Sequence, residues 1–553
     1  MKFEGIEGEL EASARNNLEL TQYAERSVTA SEANRLFARA PNEIRLALQP
    51  YGYYDAQVEG DLREGEKAGD FLAVLRVTPG EPVIVRSSNV RIDGPASDLR
   101  EVRREVEAFR PRVGERLEHG EYERSKSNVS TSLLTNGFFD QKLERHRIEV
   151  LPSAYSASID LAWASGERYR FGDIDFTATQ FPEEFLRRFV PWELDAYYTT
   201  DELQTLQQRL VDTDYFSSVS VLPLTERRAN GQVPIEGILV PGKRTVYTAG
   251  AYVSTDTGAG GRVGMERRWL NRRGHKAGGR LEYSQRLEEY SAFYRIPRPG
   301  QRNRNFNFGI GYRDEETDSS TSRLARVVAS EVLDDWYDFS RTLGLQYLNG
   351  NFEIADEQSA THLLYADAML TRKRADDLLF PTRGLSLLYG LRFGAEQFLS
   401  DTSFVQVRAE AKWVRPAKRD SRVILRAAVG AMAVDDFDAL PPELRFFAGG
   451  DRSIRGFDYQ QLGERNENGG VIGGTYQAIV SAEYEYYFLP RWGAAVFVDA
   501  GDAYSSSFDA NVGAGVGLRW RSPVGLVRVD IATPIVTDEK KRVRLHIVIG
   551  PEL

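Results

Sequence analysis

The stretch GAGVGLRWRS, residues 513–522, alternates with a period of two: Ala514, Val516, Leu518 and Trp520 share one face, and Gly513, Gly515, Gly517, Arg519 and Arg521 share the other. Side chains of an extended chain point to opposite sides in turn, so this reads as a strand with one apolar surface and one small or charged surface. The following segment sets Val527, Val529 and Ile531 against Arg528, Asp530 and Ala532; the last sets Val543, Leu545, Ile547 and Ile549 against Arg544, His546, Val548 and Gly550. A soluble sandwich and a membrane barrel both produce such alternation. Length favours the barrel. The span 244–553, at roughly nineteen residues per strand and connection, gives about sixteen antiparallel strands of about ten residues. The polar segments RDEETDSSTSR (313–323) and QLGERNENGG (461–470) suit long extracellular connections. Tyr486, Tyr487, Phe488, Trp492 and Trp520 suit an aromatic girdle at the membrane interface.

Ahead of the barrel the period changes and a repeat emerges. Two aromatics followed by a short strand recur as GYYDAQV at 52, GFFDQKL at 137 and DYFSSVSV at 214. A second marker keeps step, with PGEPVIV at 79, SGERYRF at 165 and PGKRTVY at 241. Two markers moving together imply one unit of about 80 residues used three times, which divides the chain into 1–82, 83–165, 166–243 and the barrel. A helical apolar stripe precedes each aromatic pair, so each unit mixes helix and strand. Leu203, Leu206, Leu210 and Val211 form that stripe in the third unit; Tyr122, Val129, Leu133 and Leu134 form it in the second, with Gly137 as the helix stop. In the first unit Pro41 suits the opening turn of a helix carrying Ile44, Ala47 and Leu48.

Composition removes several kinds of function. The 553 residues carry a formal net charge of -10, which argues against a nucleic-acid partner. There is no cysteine, hence no disulfide and no thiolate nucleophile or metal site. The five histidines, His119, His146, His275, His362 and His546, show no metal-ligand or triad spacing. Asp376 with Asp377, and Asp435 with Asp436, read as loop tips rather than acid/base pairs. No enzyme, cofactor or metal is expected. The opening MKFEGIEGEL lacks the basic start and apolar core of a secretory leader; a membrane barrel therefore implies a leader removed ahead of it.

Residues 446–457 read FFAGGDRSIRGF. With this string the chain resembles the BamA and TamA superfamily of outer-membrane assembly and secretion proteins, its TamA branch most closely. FVDAGDAY (497–504) is similar to the family's acidic strand motif, RSPVGLVRVDIATP (521–534) to its penultimate strand, and the terminal GPEL (550–553) to the ending of TamA. The resemblance implies three POTRA domains of β-α-α-β-β order ahead of a sixteen-stranded outer-membrane barrel, with a loop near 441–475 folded back into the lumen. It assigns Arg455, Gly456 and Phe457 to the loop tip and Asp499 as partner of Arg455. Alternation independently turns Asp499, Glu483 and Glu485 inward, which leaves Glu483 as a second candidate. A guanidinium suits that role because its fork bonds a carboxylate bidentately. Such a pair either braces the loop or also holds gating strands in register.

The resemblance further implies a seam between the first strand (Val246, Tyr247, Ala249, Ala251, Val253) and the last (Val543, Leu545, Ile547, Ile549), with Gly550 as the kink. Parting there would expose strand edges to unfolded outer-membrane proteins such as autotransporters and thin the adjacent lipid. The POTRA domains would lie in the periplasm, the first docking a TamB-like protein anchored in the inner membrane. Two other readings remain open. A two-partner-secretion transporter would carry two such modules and a plugging helix, and a passive porin would need neither the modules nor the lumen loop.

Overall fold

The computed structural model describes all residues except 24–25, 27, 65–69, 299–303, 378–379, 524, 538–541 and 551–553. Val524 in the penultimate-strand string and the terminal Pro551, Glu552 and Leu553 thus lie outside the described residues. The chain divides into two compact units, one of Met1–Thr177, Pro191–Gln207 and Ser220–Gly237, the other of Ala178–Val190, Gln208–Val219 and Ile238–Leu553.

Three modules repeat one plan: a strand, two helices and two further strands form a three-stranded sheet whose first strand lies beside the third. In the first module Lys2–Glu4 runs parallel to Phe71–Thr78, which pairs antiparallel with Gln57–Glu64. In the second, Ile84–Asp93 is parallel to Ser156–Ala164, flanked by Lys142–Leu151. Arg170–Thr177, Gln232–Pro241 and Phe216–Pro223 repeat this order in the third.

Helix ends departed from expectation in one module. Pro41 lies inside the helix Ala30–Leu48 rather than at its start, and the start is capped by Thr29, whose hydroxyl accepts from the Glu32 N–H. The stripe Ala33, Leu36, Ala40, Ile44 and Leu48 runs buried on both sides of the proline, so core burial carries the helix past a residue that breaks its hydrogen-bond ladder. Two stripe ends also face outward instead of into the core: Val211 is 46% exposed and Leu134 41%, because each lies one position beyond the buried Leu210 and Leu133.

From Thr245 to Gly550 sixteen antiparallel strands close into a barrel. Apolar side chains such as Val480, Val496, Val516, Leu518 and Ile531 stand exposed on its outside, while Ser481, Glu483, Asp499, Arg519 and Asp530 are buried within. Among the described residues no helix is long and apolar enough to cross a membrane; a barrel crosses with strands instead, each pairing its backbone with its neighbours.

Three barrel expectations require correction. RDEETDSSTSR is not a long loop: it continues the strands Arg304–Glu316 and Ser320–Trp336 and turns only at 317–319. Cross-strand charges such as Arg323 with Asp314 at 3.0 Å extend pairing into polar sequence, so strands reach 19 residues, as in Glu357–Ala375. Tyr487 is no girdle residue. It is 6% exposed, and its hydroxyl donates to Glu485 from inside, whereas Tyr486, Phe488, Trp492 and Trp520 remain exposed. The interior is not uniformly polar either: Leu324, Leu348, Leu363, Tyr365 and Phe404 line it as an apolar patch.

Candidate functional site

That apolar patch receives the segment between strands Ser421–Val434 and Tyr476–Tyr486. Leu440, Leu444, Phe446, Ile454, Phe457 and Leu462 of this long connection pack against the patch in one buried cluster. Arg445 closes its neck by donating to the carbonyls of Leu440 and Ile472 at 2.8 and 3.0 Å. Folding back brings the loop tip to the opposite, charged wall.

Arg455 meets that wall as a fork. Its Nε and Nη2 donate to the two oxygens of Asp499 at 2.7 and 3.0 Å, and its own N–H donates to the same carboxylate at 3.0 Å. The remaining Nη1 reaches Glu483 at 2.7 Å and Asp530 at 3.0 Å, while the guanidinium lies 3.4 Å from the Phe497 ring centre. Burial alone would pull this guanidinium down, but the carboxylates hold it above its ordinary value. Gly456 adopts φ +99, and a Cβ there would press on the Thr533–Pro534 backbone at 3.0 Å, so glycine fits both the turn and the approach. Phe457 is fully buried in the apolar cluster.

The wall also holds itself. Arg519 donates to Glu485 at 2.8 Å and Glu483 at 2.6 Å and pairs with Asp530; Arg422 donates to Glu485 at 2.6 Å. Arg426 lies 3.5 Å from Asp499. Four carboxylates thus face four guanidiniums, which is the compensation that buried charge requires. The sequence had turned Glu485, Arg519 and Asp530 inward without a role, and their shared parity on neighbouring strands was the available signal.

The seam residues are distributed unevenly. The first strand, Thr245–Ser254, pairs with Gly258–Arg267 along its full length, but meets the last strand, Arg544–Gly550, among the described residues only where Ser254 lies opposite Val548. Val246, Tyr247, Ala249 and Ala251 therefore lack a described partner across the seam, and Val253 sits next to the single paired position. On its other side the last strand is fully paired, with Leu545 opposite Ile531, Ile547 opposite Val529, Ile549 opposite Val527 and Gly550 opposite Leu526. Val543 precedes the strand.

The loop grips both seam strands. Arg544 forks onto Asp458 at 2.8 and 2.9 Å and donates to the Gly456 carbonyl at 2.6 Å. His546 accepts from the Gly456 N–H at 3.0 Å and contacts Asp451 at 2.7 Å, and Asp451 in turn takes hydroxyls from Ser254 and Thr255. Asp256, Asp451 and His546 lie close enough together to hold a cation, yet protein donors occupy them: the Asp256 carboxylate takes the Asp451 N–H at 3.1 Å. These contacts join residues up to 197 positions apart, and no local pattern announces them.

Comparison with known proteins bears on this geometry. The Omp85 superfamily domain matches residues 269–552, just over half of the chain. The chain belongs to the Omp85 superfamily. Ahead of that match, a POTRA domain family described as TamA domain 1 covers residues 1–79, and a surface antigen variable number repeat covers 169–238. A curated relative, the outer membrane protein assembly factor BamA of Nitratidesulfovibrio vulgaris, is 26% identical over 357 residues, 60% of this chain. The match spans 44% of that relative's length. Among solved structures, BamA from Haemophilus ducreyi lacking POTRA domains 1–3 superposes with a TM-score of 0.72 at 16% identity, over 85% of this chain and 99% of that one. That likeness establishes an Omp85 fold with POTRA-like modules ahead of a sixteen-stranded barrel.

Proposed function

We propose that this Omp85 chain is an outer-membrane protein assembly and secretion factor, with its modules in the periplasm and its barrel acting as a seam that templates incoming strands. The observation that carries this reading is that, among the described residues, the first and last strands pair at a single position while the first strand's other side is fully paired. An incoming strand brings backbone groups that hydrocarbon leaves unsatisfied, and only an exposed strand edge can pair them there. Each module also leaves an open strand edge, Gln57–Glu64 in the first, suited to holding unfolded substrate. The function is binding and templating, with no catalytic step.

The finer assignment is to the TamA branch, acting on autotransporter-type β-barrel proteins, with the first module docking a TamB-like protein anchored in the inner membrane. The match of residues 1–79 to a TamA-type first domain supports this branch. Three modules weigh against a two-partner-secretion transporter, which would share the arginine loop, and the modules together with that loop weigh against a porin.

Because the chain has no cysteine, a disulfide placed across the seam with Val253→Cys and Ile549→Cys is the only one that forms. In liposomes the oxidised protein should fail to insert an unfolded outer-membrane barrel substrate, and reductant should restore insertion. Unchanged insertion by the locked protein would sink the seam reading. A pull-down through the first module, with TamB-like protein as bait, tests the partner.

A further inference from the structure

We infer that Asp451, on the folded-in loop, is the clasp of the seam: it ties the first strand and its hairpin to the last strand where, among the described residues, their own backbones pair at one position. This rests on the seam reading above and names the residue that positions it.

The geometry is a bridge. The Asp451 carboxylate accepts from Ser254 Oγ at 3.0 Å, at the end of the first strand, and from Thr255 Oγ1 at 2.7 Å, in the turn that follows. From the other side it meets His546 Nδ1 of the last strand at 2.7 Å. The Gly456 N–H donates to His546 Nε2 at 3.0 Å, which fixes that nitrogen as the acceptor and leaves the ring proton on Nδ1. His546 therefore donates to Asp451 while receiving the backbone of the arginine tip. Three donors, from the first strand, the turn after it and the last strand, converge on one carboxylate borne by the loop.

A further thread runs beside it, the Ile547 N–H donating to Thr255 Oγ1 at 3.3 Å. Together these side-chain bonds replace the ladder that the seam lacks among the described residues. They also couple opening to the loop: parting the strands must take Asp451 from one side, and taking it from His546 disturbs the ring that holds Gly456. Gly456 adjoins Arg455, whose three carboxylate partners lie on Tyr476–Tyr486, Trp492–Tyr504 and Gly525–Val536, the last of these paired with the last strand, where Asp530 stands opposite His546. The clasp is thus anchored on the last-strand side of the seam, and the first strand is the side free to leave. A cavity of about 880 Å3 beside the clasp, lined by Tyr252, Ser254, Arg313, Glu443 and Asp451, gives the loop room to withdraw.

The test uses the full-length protein in liposomes with the Val253→Cys, Ile549→Cys pair and no other cysteine. Seam opening is read as loss of disulfide formation and as labelling of the free thiols by a membrane-impermeant maleimide. Asp451→Asn keeps the shape but weakens three charge-assisted bonds, and Asp451→Ala removes them. Each should raise thiol labelling, Asp451→Ala by about tenfold, the worth of at least one charge-assisted hydrogen bond. Ser254→Ala with Thr255→Val should do the same while leaving the loop's grip on the last strand intact. Gel mobility without heating shows that the barrel has folded. Labelling equal to the parent in folded Asp451→Ala would overturn the clasp. Zinc- or chelator-dependent labelling in the parent, abolished in Asp256→Asn, would overturn it too, by making the cluster a metal site. Failure of the clasp leaves the locked-seam insertion test untouched, so the two readings fall separately.

Discussion

Asp499 receives three hydrogen bonds from one residue, Arg455: two from the guanidinium and one from the backbone N–H. The backbone bond places the loop tip itself, not only its side chain, on the wall. A carboxylate that fixes both ends of a residue defines the loop's position more tightly than a side-chain pair alone.

Removing that fork should be costly. With Arg455→Ala, Asp499 and Glu483 lose a partner in a site where both are buried, and a buried ion pair broken on one side costs about 3–5 kcal/mol. Arg455→Lys keeps the charge but cannot fork, and should fall between alanine and parent. The temperature at which the barrel loses its fast gel mobility measures the order. Equal temperatures for all three proteins would show that the wall is neutral toward the loop.

Arg455 and Arg519 share Glu483 and Asp530. Their substitutions should therefore not add. In a cycle of Arg455→Ala, Arg519→Ala and the double variant, a coupling of about 0.5–3 kcal/mol is expected. Strict additivity would mean that each arginine acts on its own carboxylate.

The apolar half of the loop can be probed without touching charge. Phe457 is fully buried among loop and wall side chains, so Phe457→Ala should cost about 3–5 kcal/mol. Limited proteolysis should then cut within 435–475 while the Arg455 contacts persist. A loop as resistant as the parent's would place its stability in the charges alone.

How much of this was legible in the sequence follows from the range of each interaction. Alternation in 513–550 exposed the barrel, and alternation within 482–485 and 496–499 the inward parity of Glu483 and Asp499, because parity is a local property of a strand. The same parity marked Arg519 and Asp530, but which inward charges meet depends on register between strands, which no single strand encodes. RDEETDSSTSR misled because polar sequence was equated with loop; strands that rise beyond lipid have no need of an apolar face. Pro41 misled because a local rule was applied where a buried stripe overrides it. The resemblance carried by FFAGGDRSIRGF supplied the loop's return to the lumen. The contacts of Asp451 and Arg544 lay beyond both routes, since they require the ends of the barrel to meet.

Asp256 gives the clasp a pH dependence of definite sign. It sits in the turn after the first strand, and burial, then the Asp451 carboxylate, push it from 3.8 up to about 7. The groups facing it are Asp451, His546 and Tyr459. Burial pushes Asp451 up as well, but hydrogen bonds from His546 and Thr255 hold it below its ordinary value. Between pH 4 and 7, roughly, the folded protein therefore binds the Asp256 proton more tightly than the unfolded chain, and stability from this group is lost as pH rises. Asp451 acts in the opposite sense and only at lower pH, below its ordinary 3.8, so the two windows separate. The melting temperature of the parent should thus drop between pH 5 and pH 8 relative to Asp256→Asn, which cannot ionise, and the variant should be the more stable at pH 8. Parallel pH profiles for the two proteins would show that Asp256 carries no proton at the seam.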